Sequence, residues 1–372
     1  MLSDNILFIS PVRDRKALPA YGIISTLHME KTAPDSPEVS VIIPAHNAAG
    51  TLEQCLRSVL GTAHRPCEII VADDGSSDAT SNIARGFGCR VLSLSPVQGP
   101  AAARNAGARA AVGHIFFFVD SDTAMRPDTI TKAVAHFGDP SVVGVVGINS
   151  DEPLKPGFFS EYYCLLKHYA LTRRPVLNYT VFSSQCAAIR REAFFCAGGF
   201  SVFPAGMDIE NEEFGHRIAA VGRLILDPEV QVGHHFGGFN KLFYIFRHRV
   251  FWWMAYFMKH RRFDEVMVTP AVAAASVSAP LSLATLILAL YLPSGPARAS
   301  LLTLAAVFIF ICFATHSGFI GFCLKKKGVR FSAFSAVCVF LFSFVITYGA
   351  MEAVAYSLFC PANPFMRKQG AP

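Results

Sequence analysis

Asp120 and Asp122 close the apolar run FFFVDSD (116–122), and their types and spacing are the first sign of chemistry in this chain. Side chains at i and i+2 of an extended segment project to the same side, about 6.5–7 Å apart. One carboxylate of such a pair can hold a divalent cation while the other holds a bound sugar or ribose, so the pair suggests a metal–diphosphate site. Asp-Ser-Asp after a strand is also a common turn or helix cap, and its surroundings decide between the two.

Those surroundings alternate strand-like and helix-like segments over about 38–235, the pattern of an α/β domain. VSVIIP (39–44) is a β-branched run suited to a buried parallel strand, and TLEQCLRSVL (51–60) follows with apolar residues at helical spacing. CEIIVA (67–72) is a second strand that ends in DDGSSD (73–78). Ligands of open α/β sheets bind at the carboxyl ends of the strands, which gathers Ala45, Asn47, Asp73, Asp74 and Asp120 around one crevice. GPAAARNAGARAAVG (99–113) reads as a helix opened by Gly99-Pro100, with Arg104 and Arg109 as its cations. No GxGxxG follows a strand and no GxxxxGK[ST] occurs, so dinucleotide redox chemistry and P-loop hydrolysis lack support.

Composition separates a second region. Apolar residues make up 52% of the 372 and charged ones 16%, too greasy for an ordinary soluble protein of this length, and the excess lies at the C-terminal end. Three stretches there, 268–292, 300–324 and 331–360, are each long enough at about 1.5 Å per residue to cross a hydrocarbon core of about 30 Å. The loop between the second and third carries Lys325, Lys326, Lys327 and Arg330, whereas the one between the first and second carries only Arg298. That bias predicts a cytoplasmic basic loop, a cytoplasmic N-terminal domain, and a tail (361–372) outside despite Arg367 and Lys368. Residues 1–37 lack a continuous apolar stretch of the signal-peptide kind and read as a variable extension. The ten cysteines form no CxxC pair and read as thiols in a reducing compartment. The formal charge of +6 gathers near the apolar region, which speaks against a nucleic-acid footprint.

Taken in order, VSVIIPAHN (39–47), CEIIVADDGSSDAT (67–80), GPAAARNAGARAAVGHIFFFVDSDT (99–123), GGF (198–200) and IENEEFGHRIAAVG (209–222) resemble the family 2 inverting glycosyltransferases of GT-A fold. The resemblance covers about 38–235, sets a catalytic domain at 38–237, and implies a Rossmann-like mixed sheet, a nucleotide-diphosphate sugar as donor, and Mg²⁺ or Mn²⁺. It implies Asp122 as metal ligand, Asp120 nearer the ribose or donor sugar, and Asp74 accepting from the base amide, with Pro44 and Ala45 offering backbone contacts. Asp73 and Gly99 join the nucleotide-sugar site, Arg104 is split between donor contact and pairing with Asp120 or Asp74, and Asn47 between donor contact and strand-end capping. A departure stands at 211. Family members carry Glu-Asp at the start of this helix, with the Asp as the base that deprotonates the acceptor; here Glu210 is followed by Asn211, which accepts no proton. Either Asp208, Glu210, Glu212 or Glu213 takes that role or none is needed, and a phosphate acceptor, whose second pKa is about 6, needs none. As a bland alternative, acids at a helix start simply favour its dipole.

GFNKLFYIFRHRVFWWMAYFMKHRRF (238–263) brackets Trp252 and Trp253 with Lys241, Arg247, His248 and Arg249 on one side and Lys259, His260, Arg261 and Arg262 on the other. Indoles with cations mark an interfacial helix that seats the domain on membrane lipids, by simple anchoring or by attracting an anionic acceptor. His234 and His235 just upstream read as a turn, with a diphosphate or metal contact as the family alternative. Inside the apolar stretches His316 is expected to bond a neighbouring helix and Glu352 to lie near the far interface, about 31 Å from the basic loop. The chain thus reads as a membrane-bound glycosyltransferase acting on a lipid-linked or membrane acceptor, polyprenyl phosphate among them. A soluble or protein acceptor, or a silent sugar-nucleotide-binding scaffold, are the alternatives.

Overall fold

The computed structural model describes residues 37–173, 179–204, 206–260 and 269–359. The expected extension 1–37 falls almost wholly outside them, as do the tail and the cations Arg261 and Arg262. In chain order the elements are β1 (Val39–Ala45), α1 (Leu52–Leu60), β2 (Glu68–Asp73), α2 (Thr80–Gly86), β3 (Arg90–Ser93), α3 (Pro100–Ala110), β4 (Ile115–Val119) and β5 (Thr123–Met125). Then come α4 (Thr129–Ala135), β6 (Val142–Asn149), α5 (Phe158–Thr172), β7 (Cys186–Arg190), α6 (Arg191–Cys196), α7 (Glu210–Ile218) and β8 (Arg223–His234). The C-terminal region holds α8 (Phe239–Tyr244), a π-turn (Ile245–Arg249), α9 (Val250–His260), α10 (Pro270–Leu290) and α11 (Pro296–Phe359).

The eight strands form one mixed sheet in the order β3-β2-β1-β4-β7-β6-β8-β5. β1 pairs in parallel with β2 and β4, while β7 runs antiparallel between β4 and β6. β1, β4 and β6 are buried along their whole length, as continuous apolar runs must be when helices cover both faces of a sheet. Alternation sorts their side chains. Val41, Ile43 and Phe117 enter the core under α1 and α4, whereas Ile42, Phe116 and Phe118 enter the opposite core with Phe182, Phe194, Phe200 and Phe214.

That second core holds the start of α7 in place. Phe200 and Phe214 approach to 4.4 Å between ring centroids, and Asn105 of α3 clamps the GGF turn by accepting from the Phe200 N–H and donating to its carbonyl. Gly199 sits at φ +68°, and a Cβ there would meet Asn105 Oδ1 at 2.8 Å, so backbone conformation and space both favour glycine.

α10 and α11 are long and apolar enough to cross a membrane. The three apolar stretches form α10 and the two arms of α11, which meet without a loop at Gly328 (φ 83°, ψ −177°). The arms, 296–327 and 329–359, fold back on each other: Ser332 Oγ donates to the Ile320 carbonyl and Phe313 stacks on Phe340. The basic turn lies against the α/β domain, with Lys326 paired to Asp151 and Lys327 to Glu161. The interfacial segment runs alongside the second arm, Phe246 against Phe342, Arg247 against Glu352 and Phe251 against Tyr356. Glu352 meets Arg247 Nη2 at 3.0 Å beside the interfacial segment. One expectation is corrected here. His316 Nδ1 bonds its own helix at the Cys312 carbonyl, not a neighbouring helix.

Candidate active site

The turns after β1, β2 and β4 line one crevice at the carboxyl ends of the strands. After β4 the chain closes a tight turn in which the Asp120 carbonyl accepts from the Thr123 N–H and hydroxyl, so both aspartates sit at the crevice mouth. The Asp120 carboxylate accepts from Arg104 Nη2 at 2.8 Å, and Arg104 also reaches Glu210 at 3.4 Å while lying over the Phe200 ring. Arg104 is only 6% exposed; burial opposes its charge, but Asp120 and then Glu210 outweigh it and raise its pKa. Of the two partners read from the sequence for Arg104, Asp120 is the one it takes.

Asp122 faces His234, whose Nε2 lies 3.5 Å from its Oδ1. The β5–β8 pairing makes this contact by setting Thr123 opposite His234. The surrounding protein and then the Asp120 carboxylate push the Asp122 carboxyl up to about 7. Burial and then Lys167 push His234 down to about 4, which leaves a neutral imidazole at physiological pH. A carboxylate crowded by a second carboxylate, beside a neutral imidazole, is a donor set that suits a divalent cation. Among the described residues no three His, Cys, Asp or Glu side chains cluster as a closed metal cage. The pair therefore fits an ion that keeps positions open for diphosphate oxygens and water.

The other residues read from the sequence divide by partner. Asp73 accepts from the Ser76 N–H and the Ser81 hydroxyl, and Asp74 accepts from the N–H groups of Gln98 and Gly99 at 2.8 and 2.7 Å. Both carboxylates thus help to hold the turns, and each oxygen of Asp74, with one N–H donor, keeps a further lone pair. Asn47 adopts φ 49° and accepts from the Ser77 N–H, the strand-end role of its two alternatives. Ala45 gives its carbonyl to the Asp74 N–H, and Pro44 lies in register with Ala72. His235 is bound through Nε2 to Gln54.

On α7 the Asn211 carbonyl accepts from the Phe182 N–H at 3.0 Å and its side-chain oxygen from the Ser184 N–H at 3.3 Å, which fixes the approach to β7. Glu213 pairs with Arg217 at 2.6 Å, Glu210 with Arg104, and Glu212 stands 4.0 Å from Arg249. Two cations were missed as crevice residues. Lys167 of α5 donates to Gln185 and lies over the rings of Tyr163 and Phe236, and burial, then Arg249, push its ammonium down to about 8. Arg249 of the π-turn stays charged because Glu212, Tyr163, Glu210 and Asp208 outweigh its burial. A single lysine in the apolar helix FFSEYYCLLKHYALT was the available signal for Lys167. For Arg249 the sequence offered only a lipid-facing cluster.

Residues 40–196 match the model of the glycosyl transferase family 2. The chain is 34% identical over 101 residues to the succinoglycan biosynthesis protein ExoO of Rhizobium meliloti, covering 26% of this chain and 29% of that protein. It is 30% identical over 217 residues to the pre-mycofactocin glycosyltransferase of Mycobacterium tuberculosis, covering 55% and 44%. The chain thus spans less than half the length of either relative. Its fold is similar to that of the mannosyltransferase PcManGT from Pyrobaculum calidifontis, solved with GDP-Man and Mn²⁺, at a TM-score of 0.52 and 19% identity over 89% of this chain and 91% of that one.

Proposed function

We propose that this chain, whose residues 40–196 are a glycosyl transferase family 2 domain within a GT-A fold, is a membrane-bound inverting glycosyltransferase. Its donor is a nucleotide-diphosphate sugar and its acceptor a membrane lipid, polyprenyl phosphate first among the candidates. The observation that carries the reading is the convergence of Asp122 with His234, and of Asp120 with Arg104 and Glu210, at the strand ends. In this reading the nucleotide lies over β1 and β2, where Asp73 and Asp74 hold the turns that Pro44, Ala45, Asn47 and Gly99 present to it. Asp120 faces the ribose or donor sugar, kept ionised and oriented by Arg104. Asp122 and His234 would hold Mg²⁺ or Mn²⁺, and such an ion supplies Lewis-acid neutralisation of the leaving diphosphate.

The acceptor oxygen attacks the anomeric carbon from the face opposite the diphosphate. One C–O bond forms as the other breaks, the electron pair leaves with the diphosphate, and the configuration inverts. A hydroxyl acceptor would have to lose a proton to a base, yet Glu210, Glu212 and Glu213 each have a cation beside them and position 211 is Asn. A phosphate monoester with a second pKa of about 6 arrives ionised, which favours the lipid phosphate.

A bilayer is favoured by the apolar side chains that α10 and α11 leave exposed, Phe310 at 72% and Met351 at 66% among them. With Lys326 and Lys327 held to the α/β domain, basic turn and crevice belong on one side, the cytoplasmic one by charge. Cysteines placed at Lys325 and Gly295 test this: only the latter should react with an impermeant thiol reagent on intact cells. The activity is tested by offering nucleotide sugars singly to membranes holding the full chain and reading nucleoside diphosphate release. Release that requires polyprenyl phosphate is expected. Binding without release with any acceptor would make the chain a silent scaffold, and release that requires only a soluble acceptor would move the acceptor off the membrane.

A further inference from the structure

Lys167 and Arg249 face the crevice from the wall opposite the strand ends, one on α5 and the other on the π-turn, with Tyr163 between them. Lys167 is close enough to Arg249 for the two cations to repel, and no carboxylate among the described residues lies within 4.0 Å of its ammonium. A half-buried ammonium that has only an amide oxygen and ring faces for partners, next to a guanidinium whose nearest carboxylate, Glu212, stands off at 4.0 Å, can take a further anion. The π-turn adds direction. Successive residues point three ways: Arg247 to Glu352 on the second arm of α11, His248 to the Gly206 carbonyl, and Arg249 into the crevice. Beside it, where α8 and α9 meet that arm, lies a cavity of about 300 Å³ lined by Phe243, Tyr244 and Phe251 together with Arg247, His248 and Glu352. Arg249 thus follows directly on two residues that line this seam of rings and polar groups along α11.

We propose that Lys167 and Arg249 form the seat for the acceptor's anionic group, a phosphate monoester on a membrane lipid whose first chain carbons lie in the seam beside the π-turn. This rests on the glycosyltransferase reading and assigns the residues that select its acceptor. The donor's diphosphate is the competing occupant. The location favours the acceptor, because Asp122 and His234 already offer a cation site for the diphosphate while the turn that carries Arg249 is the one bonded to α11.

The test uses the full chain in nanodiscs, with binding of a short-chain polyprenyl phosphate, of the matching polyprenol and of the donor each measured apart from turnover. Lys167→Met and Arg249→Met should each weaken the lipid phosphate about ten- to hundredfold, the worth of one charge-assisted hydrogen bond, and leave donor affinity in place. Retained donor affinity shows that the variants fold, and Lys167→Arg should recover most of the loss. Inorganic phosphate should compete only at far higher concentration; competition on equal terms would remove the lipid from the proposal. Unchanged binding of the lipid phosphate in both Met variants, or a loss that falls on the donor instead, would overturn the seat. Transfer to a neutral acceptor without any binding of lipid phosphate would remove the seat and keep the transferase. Cation-dependent binding without transfer would keep the seat and remove that acceptor from the reading.

Discussion

The two walls of the crevice hold their charged groups by different means. On the strand-end wall, carboxylates are fixed by backbone N–H groups of nearby turns: Asp73 by Ser76, Asp74 by Gln98 and Gly99. On the facing wall, side-chain charge meets side-chain charge across long stretches of chain, Arg104 with Glu210 and Arg249 with Glu212. Backbone amides are set once the fold forms, so the first wall is a rigid mould. Side-chain pairs can be exchanged one at a time, so the second is where selectivity can change without loss of the fold.

The most severe way to break this comparison is Asp122→Ala. Loss of transition-state stabilisation worth several kcal/mol should lower turnover by about 10³-fold, with an unfolding temperature close to that of the parent chain. Near-normal turnover, or activity that survives EDTA, would remove the metal role from the mould. Arg104→Met comes next, because Arg104 joins the walls and its loss leaves Asp120 and Glu210 facing each other uncompensated. Breaking a buried pair in this way costs about 3–5 kcal/mol, read by chemical denaturation. Asp74→Ala strips the acceptors from two N–H groups and should cost about 1–3 kcal/mol together with donor affinity; stability unaltered by it would show that the turn does not depend on the carboxylate.

Smaller effects sharpen the other side. Glu210→Gln, Glu212→Gln and Glu213→Gln, assayed separately on a lipid phosphate, should each lower turnover less than about tenfold, since no proton has to be removed. One loss of about 10²–10⁴-fold confined to turnover would identify a base and a hydroxyl acceptor. Smallest of all, Glu352→Gln should leave the unfolding temperature close to that of the parent chain, as both partners of this ion pair are exposed to solvent screening.

What could be read from the sequence follows the same division. The strands announced themselves because a sheet covered on both faces writes continuous apolar runs, and Asp120 and Asp122 stood where such a run stopped. His234 was harder. Its approach to Asp122 depends on β8 pairing with β5 across more than a hundred residues, and no local pattern records that register. Asp73 and Asp74 were placed in the right crevice, but whether a carboxylate faces a ligand or the neighbouring turn depends on how Gln98 and Gly99 come around, which spacing leaves open. Hydropathy located the apolar region and overlooked that a glycine with positive φ could join two of its stretches without a loop.

Gly328 carries one more consequence. Because the chain reverses there on a single residue and the adjoining lysines are tied to Asp151 and Glu161, the hairpin cannot slide relative to the α/β domain. The bend works as a register stop: with Lys326 and Lys327 set against Asp151 and Glu161, it determines which residues of the second arm come to lie beside Phe246, Arg247 and Phe251. An insertion of three or four residues at 328 would shift that register without altering any side chain at the crevice.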